Sequence, residues 1–216
     1  MPAYSGTRLQ TITPDPMAFF ESLLVQIGQT APLEWIAALM GVVSVLLSRQ
    51  NHIGLYPAGI VSTAIYVYLW AGTEARLYAD ALLNVYYLGM SIYGWIFWSR
   101  NRDNHEALKI SRSSGKDWMV VVAIAAGGWA ILYGLLLYTP SDVPVWDSFV
   151  SATAWAGMWL LARRKLENWI LLNISNLAAI PLFVYKGYYV TMLLTVFLFI
   201  VAISGYFNWK RILQRQ

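Results

Sequence analysis

Seven apolar runs, each close to the length of a bilayer crossing, follow one another along this sequence with only short polar breaks between them, at residues 33–48, 53–71, 77–99, 118–138, 145–162, 166–185 and 188–209. A helix needs about 17–25 apolar residues to cross the hydrocarbon core, and a soluble domain has no way to bury so many such helices. The expected fold is an all-α integral membrane protein with seven transmembrane helices. Ahead of them, residues 17–29 read as a short amphipathic helix stopped by Pro32 and lying at the outer surface. Residues 1–16 have no basic stretch leading into an apolar one, so no removable leader is expected.

Charge supports the same picture. Only 12% of residues are charged, about half of what a soluble domain carries. When the loops are taken alternately, twelve lysines and arginines fall on one side of the series (Arg49; Arg100 to Lys116; Arg163 to Lys165; Lys210 to Arg215) and three, Arg8, Arg76 and Lys186, on the other. Cytoplasmic loops carry the excess of such residues. The N-terminus is therefore expected outside and the C-terminus in the cytoplasm. The net charge of +4 comes from these scattered clusters and forms no nucleic-acid-binding patch. Trp95, Trp98, Trp146, Tyr185, Tyr188, Tyr189 and Trp209 lie at span ends and are expected to form the interfacial aromatic belt.

The third and seventh spans close alike, as Ser91-Ile-Tyr-Gly-Trp-Ile-Phe-Trp98 and Ala202-Ile-Ser-Gly-Tyr-Phe-Asn-Trp209. Upstream, Ala64-Ile65 and Gly72 match Ala179-Ile180 and Gly187, and Leu46-Leu47-Ser48-Arg49 matches Leu160-Leu161-Ala162-Arg163. These matches fall in order across three consecutive spans, so the expected arrangement is 3+1+3, two parallel copies of one three-helix unit joined by a linking helix. The divisions are residues 1–30 for the N-terminal segment, 31–100 for the first unit, 101–144 for the cytoplasmic loop and linking helix, and 145–216 for the second unit with its basic tail. Transporters so built bind their substrate between the copies, near mid-membrane.

Polar residues within a span are costly and are therefore candidates for function. Trp169, Asn173 and Asn176 share one helical stripe, and Asp80, Asn84, Tyr87 and Ser91 share another. The competing reading of each Asn and Ser is hydrogen bonding between helices, worth about 0.6 kcal/mol apiece. Asp80 and Asp147, with Glu34, Glu74 and Asp142, collect at outer ends, and such a mouth favours a cation. Trp155 and Trp169 are the aromatic faces best suited to hold a delocalised positive ring. No charged side chain falls in the middle third of any span, which argues against a buried proton relay. The chain has no cysteine, its two histidines, His52 and His105, lie far apart, and phosphate-cradling or hydrolase motifs are absent. No metal, no cofactor and no catalysis are expected.

The runs Leu77-Tyr-Ala-Asp80 followed by Ser91-Ile-Tyr-Gly-Trp95, Gly157-Met-Trp-Leu-Leu-Ala-Arg-Arg-Lys-Leu-Glu-Asn-Trp-Ile170 and Ile180-Pro-Leu-Phe-Val-Tyr-Lys-Gly187 resemble the PnuC family of bacterial vitamin transporters. The likeness runs over about residues 20–212. It implies a homotrimer in the bacterial inner membrane that takes up nicotinamide riboside by facilitated diffusion, after which a cytoplasmic kinase traps the product. It also implies an aromatic, Asn-rich site, with the family signature on Glu167, Asn168 and Trp169. Relatives specialised for thiamine exist, and both vitamins carry an aromatic cationic ring and a hydroxyl-bearing tail, so both substrates remain open. A membrane receptor or scaffold that binds without transport is the alternative of another class.

Overall fold

A computed structural model of the chain describes residues 16–71, 78–100, 109–138 and 141–216. The described residues form eight helices: α1 (Pro16–Gln29), α2 (Pro32–Arg49), α3 (Leu55–Ala71), α4 (Tyr78–Arg100), α5 (Gly115–Leu136), α6 (Pro144–Ala162), α7 (Asn168–Tyr185) and α8 (Tyr189–Arg215). Each expected span coincides with one helix from α2 to α8. The largest departure is in α8, which continues past Trp209 so that the basic tail is helical. By length and composition α2, α5, α7 and α8 are long and apolar enough to cross a bilayer. The 17 residues of α3 reach about 25 Å at 1.5 Å per residue, short of a hydrocarbon core of about 30 Å.

Local chemistry explains where the helices begin and end. Proline opens both α2 and α6, where its missing N–H and fixed φ cost nothing. Ser114 and Asp117 form a reciprocal capping box at the start of α5. Beyond α2 and α6 the chain turns through a left-handed residue, Asn51 (φ 56°) and Arg164 (φ 54°). That is the usual way to satisfy the last carbonyls of a helix, but arginine is an uncommon residue for the position.

In the bundle α3 packs between α2 and α4, α7 packs between α6 and α8, and the two groups meet where α4 touches α6 and where α2 touches α8. Helix α5 lies mainly against α6, and α1 lies against α8. Side-chain contacts in the first group recur in the second. The Ser62 hydroxyl donates to the Ala37 carbonyl at 2.7 Å, and that of Ser175 donates to Val150 at 2.8 Å. Tyr56 meets Trp98 edge-on at 5.1 Å, and Trp169 meets Trp209 edge-on at 5.6 Å. Gly94 seats the Tyr56 ring and Gly205 the Trp169 ring, each so close that a Cβ would collide. Where Ser44 in α2 faces Gly59 in α3, Gly157 in α6 faces Leu172 in α7, so the large and small partners have changed places. These pairs put Ser62 opposite Ser175, which shifts the register read from Ala64-Ile65 and Ala179-Ile180 by two positions.

The aromatic belt also needs correction. Tyr185, Tyr188 and Trp95 are exposed, as expected, but Trp98 and Trp209 are 1% and 0% exposed. Their indole N–H groups donate to main-chain carbonyls, Trp98 to Ala162 at 3.1 Å and Trp209 to Ser48 at 2.9 Å. Each tryptophan reaches from the last helix of one group to the end of the first helix of the other. Together with Leu55, Tyr56, Ile110, Leu161, Leu166, Trp169 and Ala202 they make a core at the end of the bundle that carries most of the basic residues.

Candidate functional site

Helix α7 begins at a tightly anchored corner. The Glu167 carboxylate accepts from both the N–H and the hydroxyl of Ser113, each at 2.8 Å, and the Asn168 amide donates to the Lys165 carbonyl at 2.6 Å. Main-chain bonds between Ser111 and the loop residues Arg164 and Leu166 add to the anchor. Glu167 and Asn168 thus hold the helix start in place, and the Asn168 side-chain oxygen is buried with no partner among the described residues. Burial holds the Arg164 guanidinium down to about 10, with Tyr56 acting in the opposite direction.

The ring of Trp169 lies over Gly205 and edge-on to Trp209 at 1% exposure, yet its indole N–H has no hydrogen-bond partner. One turn deeper, Asn173 buries its side-chain oxygen, also without a partner. A buried, unpaired donor or acceptor costs about 1–3 kcal/mol, and such groups in native proteins commonly await a ligand. Both residues line one cavity of about 290 Å³ between α7 and α8, completed by Ile170, Ile174, Leu177, Phe199, Ile203, Tyr206 and Phe207. That volume is at the lower end of ligand pockets, about 300–1,000 Å³. Asn176 is half-buried on the same helix but does not line this cavity.

The other predicted residues lie elsewhere. Trp155 stacks on Tyr86 of α4 with ring centroids 4.4 Å apart and an interplanar angle of 18°, and the Tyr86 hydroxyl donates to the Trp155 carbonyl at 3.0 Å. Its indole N–H is buried without a partner, and Gly128 of α5 leaves room for its six-membered ring. Tyr87 stands edge-on to Tyr86 at 6.3 Å, and Asn84 is half-buried one turn before. Ser91 is buried near Gly59, in the packing between α3 and α4. The sequence therefore points to two places: the α7–α8 cavity, with Trp169 and Asn173, and the α4–α6 junction, with Trp155 and Tyr87.

At the end of the bundle expected to face outward, Asp147 is paired with Lys186 at 2.6 Å and also accepts from the Ser141 hydroxyl at 2.7 Å. Its charge is compensated, so it does not by itself draw in a cation. Asp80 lies outside the described side chains. Helix α1 sits at this end as expected: Gln26 donates to the Gly187 carbonyl at 2.7 Å and accepts from the Val190 N–H at 3.3 Å, while Phe19 meets Tyr189 edge-on. Sequence reasoning missed Tyr86, whose only signal was its adjacency to Tyr87. It also missed that Lys186 pairs with Asp147.

Long apolar helices packed side by side, several of them long enough to cross a bilayer, define a multi-helix membrane protein. Residues 31–211 match the family described as nicotinamide mononucleotide transporter, and the chain belongs to that family, known as PnuC. A relative called nicotinamide riboside transporter PnuC, from Escherichia coli (strain K12), is 27% identical over 89% of this chain and 94% of its own length. One of the same name from Neisseria mucosa is 22% identical over 83% of this chain and 72% of its own length. The solved crystal structure of the vitamin B3 transporter PnuC superposes with a TM-score of 0.68 at 22% identity, covering 92% of this chain and 89% of that one, so the fold is shared. The chain is a transporter of this family and a multi-pass protein of the bacterial inner membrane.

Proposed function

We propose that the protein carries nicotinamide riboside into the cytoplasm by facilitated diffusion, with α2–α4 and α6–α8 acting as two copies of one unit and α5 as the helix that joins them. Seven crossings, the N-terminus outside and a homotrimer belong to the same reading. The observation that carries it is the pair on α7: Trp169 and Asn173 line one cavity, and behind its apolar wall each keeps a buried polar atom, the indole N–H and the amide oxygen, with no partner among the described residues. A primary carboxamide is complementary to that pair, since its oxygen accepts from Trp169 and its NH2 donates to Asn173. The relatives named for nicotinamide riboside support this choice.

The unphosphorylated vitamin fits better than its 5′-phosphate. A phosphate carries nearly two negative charges at neutral pH, and no lysine or arginine lies in the middle third of a span to receive them. The same lack of membrane-embedded charge fits a carrier without ion coupling, with phosphorylation in the cytoplasm making uptake one-way. Thiamine is the second reading, because its aminopyrimidine also sets a ring acceptor beside an NH2 donor. The rim of the cavity, formed by the exposed Ile170, Ile174, Leu177 and Phe207, is apolar surface that a neighbouring copy could cover.

Purified protein in liposomes tests the mechanism. Labelled nicotinamide riboside should enter saturably, equilibrate without accumulating, and ignore imposed proton and sodium gradients. Accumulation driven by either gradient overturns facilitated diffusion, and absence of saturable entry overturns transport of this substrate.

A further inference from the structure

We infer that the two contacts between the three-helix groups play different parts, α4–α6 being a fixed hinge and α2–α8 the seam that parts to release substrate at the basic end. The inference rests on the uptake reading above, with the two three-helix groups rocking against each other to admit and release the substrate.

The α4–α6 contact is fastened at two depths. Within the bundle, Tyr86 both stacks on Trp155 and donates to its carbonyl, while α5 supports Trp155 from behind through the small Gly128. At the basic end Trp98 donates to the Ala162 carbonyl, and the guanidinium of Arg164 lies 3.6 Å from the centre of the Trp98 ring. Arg163 adds a 3.3 Å bond to the Tyr93 hydroxyl. The arginines stand on a loop that is itself pinned by Ser111 and by the Ser113–Glu167 bonds, so they pull α4 against a rigid corner. A guanidinium held over an indole face is attracted by the ring quadrupole, and the more so where it is partly withdrawn from water.

The α2–α8 contact is fastened differently. Its described side-chain links gather at the basic end, where Trp209 donates to Ser48 and Asn208 donates to the Arg49 carbonyl at 2.7 Å. Both are neutral bonds to main-chain oxygens at a helix terminus, where the same carbonyls can turn to other donors when the helices separate. No stacked aromatic pair, cation–π contact or supporting helix appears across α2–α8 among the described residues. A rotation about Tyr86–Trp155 breaks two neutral bonds at the seam and draws the buried Trp209 out of its packing, whereas opening at α4–α6 does the same to Trp98 and also breaks a stack, a cation–π contact and three hydrogen bonds. Packed interfaces switch between discrete states rather than bending continuously, and the less strongly linked one yields first.

The chain contains no cysteine, so cross-links can be placed without background. One variant carries Arg49→Cys and Asn208→Cys across the seam, and another carries Tyr93→Cys and Arg163→Cys across the hinge. Each is joined in proteoliposomes with a short, reducible bis-methanethiosulfonate linker, and riboside entry is measured before linking, after linking and after reduction. Both variants must transport before linking, so folding is controlled within each sample. A seam cross-link should cut entry by about tenfold or more and recover on reduction, while a hinge cross-link should leave entry within about twofold. Equal loss from both overturns the hinge and leaves alternating access standing. Loss from the hinge cross-link alone reverses the assignment. Full transport by both linked forms overturns the rocking of these two groups altogether.

Discussion

Gly205→Ala is expected to destabilise the protein by about 2 kcal/mol, against the usual tendency of alanine to stabilise a helix. A Cβ at position 205 would lie 2.7 Å from the Cη2 and Cζ2 atoms of Trp169, and ordinary contact begins at 3.4 Å, so the ring must retreat by roughly 0.7 Å. It has little room to do so, since Trp169 is 1% exposed and is held edge-on by the fully buried Trp209. Overpacking of this kind costs about 1–3 kcal/mol, and the upper end applies to a ring fixed on both sides. Replacing glycine within a helix returns about 1 kcal/mol, leaving a net loss near 2 kcal/mol, or roughly 4–8 °C in melting temperature for a chain of this size. The assay is thermal unfolding of the purified protein in detergent, followed by tryptophan fluorescence. Gly127→Ala, where nothing lies within 4 Å of the new carbon, is the control and should be neutral or stabilising. Trp169→Phe removes the fused outer ring that carries the three colliding atoms, so the double variant should lose less than the sum of the single changes. A Gly205→Ala protein that melts at or above the wild-type temperature would refute the packing argument.

Asn173→Leu should weaken riboside binding by about 1–3 kcal/mol, five- to a hundredfold, through loss of the amide acceptor, with the melting temperature held or raised; unchanged affinity on folded protein removes Asn173 from the site. Trp209→Phe removes the indole donor to the Ser48 carbonyl and leaves a cavity where the second ring was packed, for a loss above about 1 kcal/mol in thermal unfolding. Glu167→Gln weakens two charge-assisted bonds to Ser113 and should cost about 1–3 kcal/mol, measured by the same melt; an unchanged melt would mean that the corner is not anchored there. Asp147→Asn loses the pair with Lys186, which is only partly shielded from water, so the effect should stay below about 1 kcal/mol and fade in high salt.

The helices were legible in the sequence because the bilayer sets their length, and α2 to α8 fall where the apolar runs lie. The azimuth of each side chain was not. Hydropathy reports depth and says nothing of direction, so Trp98 and Trp209 looked like belt residues although they point inward and hold the two groups together. For the same reason Tyr86, which turns to Trp155, was passed over in favour of Tyr87 on the same turn. The repeat was readable at its Gly–Trp ends, where Gly94 and Gly205 must stay small beneath an aromatic ring. It slipped by two positions in α3 and α7, where Ser62 and Ser175 carry the equivalence through a hydrogen bond that residue identity alone does not single out. Asp147 looked like part of an acidic mouth because its partner, Lys186, stands on the loop after the next helix. Spacing put Trp169, Asn173 and Asn176 on one stripe of α7, but only the first two line the cavity, and spacing gave no sign that they keep a donor and an acceptor unpaired among the described residues.

The most direct test of the central claim is calorimetric titration of the purified, detergent-solubilised protein with nicotinamide riboside, its 5′-phosphate and thiamine in parallel. Saturable binding of the riboside, with neither of the others competing, is the predicted result. Binding of thiamine alone would contradict the substrate assignment while leaving the fold untouched, and silence from all three would contradict the proposal that this chain carries the vitamin at all.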